Sequence, residues 1–172
     1  MKRSSAKEWI GYGWIFACIV LLDQFSKYLV LHHLRPVDVY DLWPGVFRLN
    51  YEENTGAAFS MMSGKKWFTI GFATVALIVF VVYMIKNYRN SKLAMIFSAM
   101  VVGGGIGNLI DRVRIGYVVD YIEVRLFRFA IFNFADICVT VGIIILMIFI
   151  LFGGKSSSEN KQTVSEESND AG

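Results

Sequence analysis

Acids and carboxamides crowd a part of this chain where lipid-length apolar sequence leaves little room for them. Gly103-Gly104-Gly105-Ile106-Gly107-Asn108-Leu109-Ile110-Asp111-Arg112 closes one apolar run, Asp120 follows in a short polar connection, and Phe132-Asn133-Phe134-Ala135-Asp136 opens another. An ionisable group in hydrocarbon needs a partner or a watery cavity, so Asp111, Arg112 and Asp136 are functional candidates from their location alone. On helices, Gly104, Asn108, Asp111 and Arg112 share one face, and Asn133, Asp136 and Thr140 share another, so two polar stripes could meet. The structural alternative is that Gly103 and Gly107 permit close helix packing and the polar groups act as interhelical glue. That reading suits the glycines. It does not account for so many acids and amides in one place.

Hydrolysis of a peptide bond without a metal or a covalent nucleophile needs a base to activate water and an acid to polarise the carbonyl. Two neighbouring carboxylates sharing one proton supply both. Asp120 and Asp136 are the expected pair, with like-charge repulsion raising one pKa so that one aspartate keeps its proton. No metal or other cofactor is expected, because His32 and His33 are adjacent, read as interfacial loop residues, and no His or Cys cluster has ligand spacing. A serine nucleophile has no Ser-x-x-Lys or Gly-x-Ser-x-Gly arrangement to rest on. Ser26 and Lys27 are neighbours and would point in different directions on a helix. Asp23 and Lys27, four apart, read as an intrahelical ion pair.

Gly104-Ile-Gly-Asn-Leu-Ile-Asp-Arg112, Val118-Val-Asp-Tyr-Ile122, Phe132-Asn-Phe-Ala-Asp136, Asp23-Gln-Phe-Ser-Lys27 and Asn54-Thr-Gly-Ala-Ala-Phe59 resemble, in order, the motifs of the lipoprotein signal peptidase (signal peptidase II) family of bacterial membrane aspartyl endopeptidases. The resemblance implies that Asp120 and Asp136 are catalytic. It places Asn54, Gly104, Asn108, Arg112 and Asn133 around them to bind substrate or orient the acids, with Asp23, Lys27 and Asp111 in support. An isolated loop asparagine such as Asn54 is otherwise more often a turn residue. The implied substrate is a prolipoprotein carrying a diacylglyceryl-modified cysteine, cut just before that cysteine. The implied partners are this substrate and membrane lipids, with no nucleic acid, and the protein is expected to be a monomer. Two positions depart from the family pattern: Ala130 where proline is usual, and Tyr121 where phenylalanine is common.

These side chains must be positioned by an all-α polytopic membrane protein. The composition is 55% hydrophobic over 172 residues, and the formal charge of +3 is small. Four runs approach the roughly 20 apolar residues of a bilayer span, at about 8–31, 67–85, 93–110 and 132–152, within one unit covering 1–154. Lys2, Arg3 and Lys7, then Lys86, Arg89 and Lys92, then Lys155 are basic clusters expected on the cytoplasmic side; Arg35, Arg48, Lys65, Lys66, Arg112, Arg114, Arg125 and Arg128 make the opposite side basic too, so charge alone leaves the orientation open, and the family resemblance implies that both termini are inside. The positively charged start followed by an apolar run lacks a small-residue cleavage site, so it reads as a retained first span. The region 34–66 falls outside, and Pro44-Gly45 before the alternating Phe47-Arg-Leu-Asn-Tyr51 signals a turn and a strand. The family resemblance makes this region a small extracytoplasmic β-cradle. Residues 155–172 are polar and read as a disordered tail. Cys18 and Cys138 read as small buried hydrophobes. A proton- or ion-coupled carrier is the rival reading, but carriers keep their acids near the bilayer midplane, whereas Asp23, Asp111, Asp120 and Asp136 map to the outer ends of spans.

Overall fold

The computed structural model describes residues 5–56, 66–127 and 129–153. Ala57, Ala58 and Phe59 of the Asn54 motif, the basic residues Lys2 and Arg3, and the polar tail lie outside the described residues. Helix α1 (Ala6–Leu29) continues through a π-helical turn (Val30–Leu34). It is followed by strands β1 (Val39–Trp43) and β2 (Phe47–Asn54), helices α2 (Lys66–Tyr88) and α3 (Lys92–Arg114), strand β3 (Val118–Val124) and helix α4 (Phe134–Gly153). Ala6–Leu34, Lys66–Tyr88, Lys92–Arg114 and Phe134–Phe152 are long and apolar enough to cross a membrane.

Caps mark where the helices begin. Ser5 accepts from the Glu8 N–H while Glu8 reaches back to the Ser5 N–H, a reciprocal capping box at the start of α1. Ser91 accepts from Ala94 N–H at the start of α3. Helix α3 is the hub and packs against α1, α2 and α4. Its glycines make this possible: a Cβ at Gly103 would strike Ile19 of α1, one at Gly104 would strike the Ala135 carbonyl oxygen of α4, and one at Gly105 would strike Leu77 of α2. Without hydrophobic driving force between helices in lipid, such close backbone approach is how they associate. Large apolar side chains such as Leu21, Phe25, Phe72, Val79, Ile148 and Leu151 remain exposed on the outside of the bundle, as a lipid-facing surface requires.

Three antiparallel strands in the order β1-β2-β3 form the small sheet. Trp43-Pro44-Gly45-Val46 makes the β1–β2 turn, with Val46 N–H donating to Trp43 O at 3.0 Å and Gly45 at φ 80°, the left-handed position a type II turn reserves for glycine. Arg48 and Glu123 are direct cross-strand partners joined at 2.6 Å, and Asn50 donates to the same Glu123 oxygen. The Arg48 bond holds the Glu123 carboxyl below its usual range. Beyond a register shift between Leu49 and Glu52, β2 sets Glu52 opposite Asp120. Val30 and Leu34 of the π-helical turn pack with Val119 and Tyr121, seating the sheet on the helices.

The structure corrects three expectations. The connection carrying Asp120 is not merely polar linker: its Val118–Val124 stretch is a third strand, because β2 supplies a pairing partner more than sixty residues away in sequence. His32 and His33 are helical rather than in a loop, because Arg35 N–H bonds the Val30 carbonyl five residues back and extends the first span to Leu34. Cys138 is buried as expected, but Cys18 is exposed on the outer face of α1.

Candidate functional site

Asn133 is the joint of the site. It is fully buried and lies immediately before α4, where its Oδ1 accepts from the Asp136 N–H at 3.0 Å and its own N–H donates to Asp136 Oδ2 at 3.2 Å. This is a reciprocal cap in which an aspartate takes the role glutamate more often fills, and caps of this kind are worth about 1 kcal/mol. The capping geometry thus fixes Asp136 one turn from the helix start. The Asn133 side-chain Nδ2 donates to Asp120 Oδ1 at 2.6 Å. One residue therefore touches both acids, and β3 is drawn against the head of α4. Tyr121 N–H and Ile122 N–H both donate to Phe132 O, which continues that attachment through the backbone.

Two further carboxamides complete the ring. Asn54, the last residue of β2, donates to Asp120 Oδ2 at 2.8 Å and accepts from Gly56 N–H at 3.1 Å. Asn108 of α3 donates to Asp136 Oδ1 at 2.7 Å and accepts from Asn133 Nδ2 at 3.1 Å. Arg112, one turn further along α3, donates to the carbonyls of Asn108 and Gly56, each at 3.2 Å, and so ties α3 to the segment after Asn54. Asp120 is 1% exposed. Burial pushes its carboxyl up to about 6, and the nearby Asp136 charge adds to this, while the Asn54 and Asn133 bonds act the other way.

Behind the ring lies a buried ionic cluster. Lys27 pairs with Asp23 and with Asp111, both at 2.9 Å, and donates to Asn108 Oδ1 at 2.8 Å. The ion pair expected between Asp23 and Lys27 on one helix is present, and Asp111 of α3 makes it an interhelical triad. Gly107 lies directly beneath Asp23, where any Cβ would displace the carboxylate. Gly104 does not reach the reacting groups: its missing side chain lets the Ala135 backbone settle on α3, which sets the depth of Asp136.

The sequence reading missed Gln24. Its Nε2 donates to Asp111 Oδ1 at 3.0 Å and to Asp23 Oδ2 and the Gly107 carbonyl at 3.2 Å. A carboxamide beside an aspartate inside a lipid-length helix was the available signal. Tyr121 was noted only as a departure, yet its hydroxyl donates to Ser26 Oγ at 2.9 Å, which donates in turn to the Asp23 carbonyl. Ala130, the other departure, is exposed. Among the described residues no group of three or more His, Cys, Asp or Glu side chains is placed to hold a metal ion. The arrangement offers two carboxylates fixed by N–H donors, one of them with its carboxyl raised to about 6, at one end of a helix bundle.

Known proteins resemble this chain over most of its length. A profile of signal peptidase (SPase) II matches residues 15–152. A lipoprotein signal peptidase of Caldanaerobacter subterraneus subsp. tengcongensis is 48% identical over 140 residues, covering 81% of this chain and 95% of the relative. One from Enterococcus faecalis is 38% identical over 152 residues, covering 88% and 94%. Among solved structures, a bacterial membrane enzyme determined by the in meso method superposes with a TM-score of 0.77 at 31% identity, covering 86% of this chain and 90% of that one.

Proposed function

Because the chain belongs to the signal peptidase II family, we propose that it removes the signal peptide of prolipoproteins by attack of a water molecule activated between Asp120 and Asp136. The protein is a multi-pass bacterial membrane peptidase of this family, acting on lipoprotein precursors. The observation that carries the aspartyl mechanism is the sharing of Asn133 by both carboxylates, Asp120 through the side chain and Asp136 through the main chain. A residue that bonds both acids keeps them in one site. Asp120, raised to about 6, is the partner that keeps it, protonates the scissile carbonyl oxygen and stabilises the tetrahedral intermediate. Asp136 takes the proton of the attacking water and gives it to the leaving amine as the intermediate collapses and the C–N bond breaks, with Asp120 recovering its proton from the intermediate's hydroxyl. Asn54 and Arg112 stand beside the acids with polar groups suited to a peptide backbone.

Purified protein incubated with a lipid-modified precursor should cut it, and the pH profile tests the assignment of roles. A carboxyl with a raised pKa is active as an acid below that pKa and loses the proton above it. The alkaline limb of kcat/KM should therefore have an apparent pKa near 6. A flat profile between pH 5 and pH 8 would remove Asp120 from the acid role.

The reading places the catalytic pair at the outer membrane face with both termini in the cytoplasm. Lys86 and Lys92 flank the α2–α3 link, and Trp43 and Trp67 lie exposed at the opposite end of the bundle, where interfacial aromatics belong. Single cysteines replacing Asn87 and Asp41, in a background without Cys18 and Cys138, should report this. An impermeant thiol reagent added to cells stripped of any outer barrier should label position 41 and spare position 87; the opposite pattern inverts the topology.

A further inference from the structure

We propose that Lys27 is a positioning residue for the reaction and acts through Asn108, by setting which end of that carboxamide faces Asp136. The inference rests on Asp136 being one of the reacting pair. An ammonium has three donors and no acceptor, whereas a carboxylate only accepts. The Lys27 donors are directed at Asp23 Oδ2, Asp111 Oδ2 and Asn108 Oδ1, at 2.9, 2.9 and 2.8 Å. The oxygen of Asn108 is therefore turned toward Lys27, and Asn133 Nδ2 adds a second donor to the same oxygen at 3.1 Å. That leaves the Asn108 amino end for Asp136 Oδ1, 2.7 Å away. Turned over, the amide would set N–H groups against an ammonium and another amide nitrogen, and its oxygen against a carboxylate. All three contacts would reverse sign.

Lys27 is itself held from both flanks. Asp111 accepts from Gln24 Nε2 and from Val119 N–H, and Asp23 accepts from Ala135 N–H. Arg114 donates to Gln24 Oε1 at 3.3 Å, which turns the Gln24 amino end toward the two aspartates in the same manner. None of these hydrogen bonds touches Asp120 or Asp136. The triad joins α1 to α3 and, through the Ala135 and Val119 backbone, to α4 and β3; its side-chain link to the reacting carboxylate runs through Asn108.

The test compares Lys27→Met, which keeps the stem and loses every donor, with Lys27→Gln, which keeps an uncharged N–H group able to reach Asn108 Oδ1. Initial rates on a lipid-modified precursor are measured with purified variants, normalised to folded protein. Lys27→Met should lower kcat about 10- to 100-fold with KM changed by less than about twofold, and Lys27→Gln should recover to within about fivefold of the parent. Equal losses in the two variants would show that Lys27 only neutralises Asp23 and Asp111, and would overturn the proposal. Where Lys27→Met does not fold, Asp23→Asn/Lys27→Met/Asp111→Asn removes the buried charges together. Its kcat should stay low, because Asn108 Oδ1 has lost the Lys27 donor and keeps only Asn133 Nδ2, and parental kcat in that triple variant overturns the proposal. Asp136→Asn run alongside separates the two readings. If it is active the aspartyl mechanism itself fails, and if it is inactive while Met and Gln behave alike only the role of Lys27 fails.

Discussion

Asp136→Asn and Asp120→Asn are each expected to reduce precursor cleavage by about 10²- to 10⁴-fold, the usual worth of a positioned acid or base. Both substitutions keep side-chain shape and remove the exchangeable proton. Neither should dismantle the fold. At position 136 the amide oxygen can still cap α4 by accepting from Asn133 N–H, and at position 120 it can still accept from Asn133 Nδ2. Each change does turn one carboxylate contact into donor facing donor, against Asn108 in the first case and Asn54 in the second. A loss of about 1–3 kcal/mol of stability is therefore expected, and processing must be compared at matched amounts of each variant in membranes. The double variant should be no slower than the worse single one, because groups acting as a unit are not additive. Near-parental turnover by either single variant excludes that residue from the reacting pair.

The parts of this protein that depend on local pattern were readable in its sequence. Four spans followed from the length of apolar runs, the β1–β2 turn from Pro44-Gly45, and the Asp23–Lys27 pair from four-residue spacing. The pairing of β3 was not readable, although Val118–Val124 is rich in β-branched residues, because a strand is defined by a partner and β2 lies far away in sequence. The site itself was legible as a set of residue types in the wrong solvent. Its wiring was not: that Asn133 serves as helix cap and as bridge between two acids depends on where β3 meets α4, and no spacing rule contains that. Gln24 escaped notice for the same reason. Its partners Asp111 and Gly107 lie on another helix, and a single glutamine on α1 has no periodic signature. The extension of α1 through His32 and His33 rests on backbone bonds five residues apart, such as Arg35 N–H to Val30 O, beyond the reach of hydropathy.

Removal of the diacylglyceryl group from the cysteine after the scissile bond is expected to lower kcat/KM by orders of magnitude while leaving the chemistry of the bond unchanged. The reason is depth. Asp136 begins a lipid-crossing helix and Asp120 is packed against it, so a peptide bond can reach them only if the substrate is held at that level of the membrane. The signal peptide helix anchors the chain on one side of the bond, and two acyl chains anchor it on the other, each buried methylene contributing about 0.8 kcal/mol to attachment. The measurement uses the two precursors at equal protein-to-detergent ratios. Equal kcat/KM for both would show that the enzyme does not read the lipid, and would leave an aspartyl peptidase that recognises the peptide and membrane depth alone.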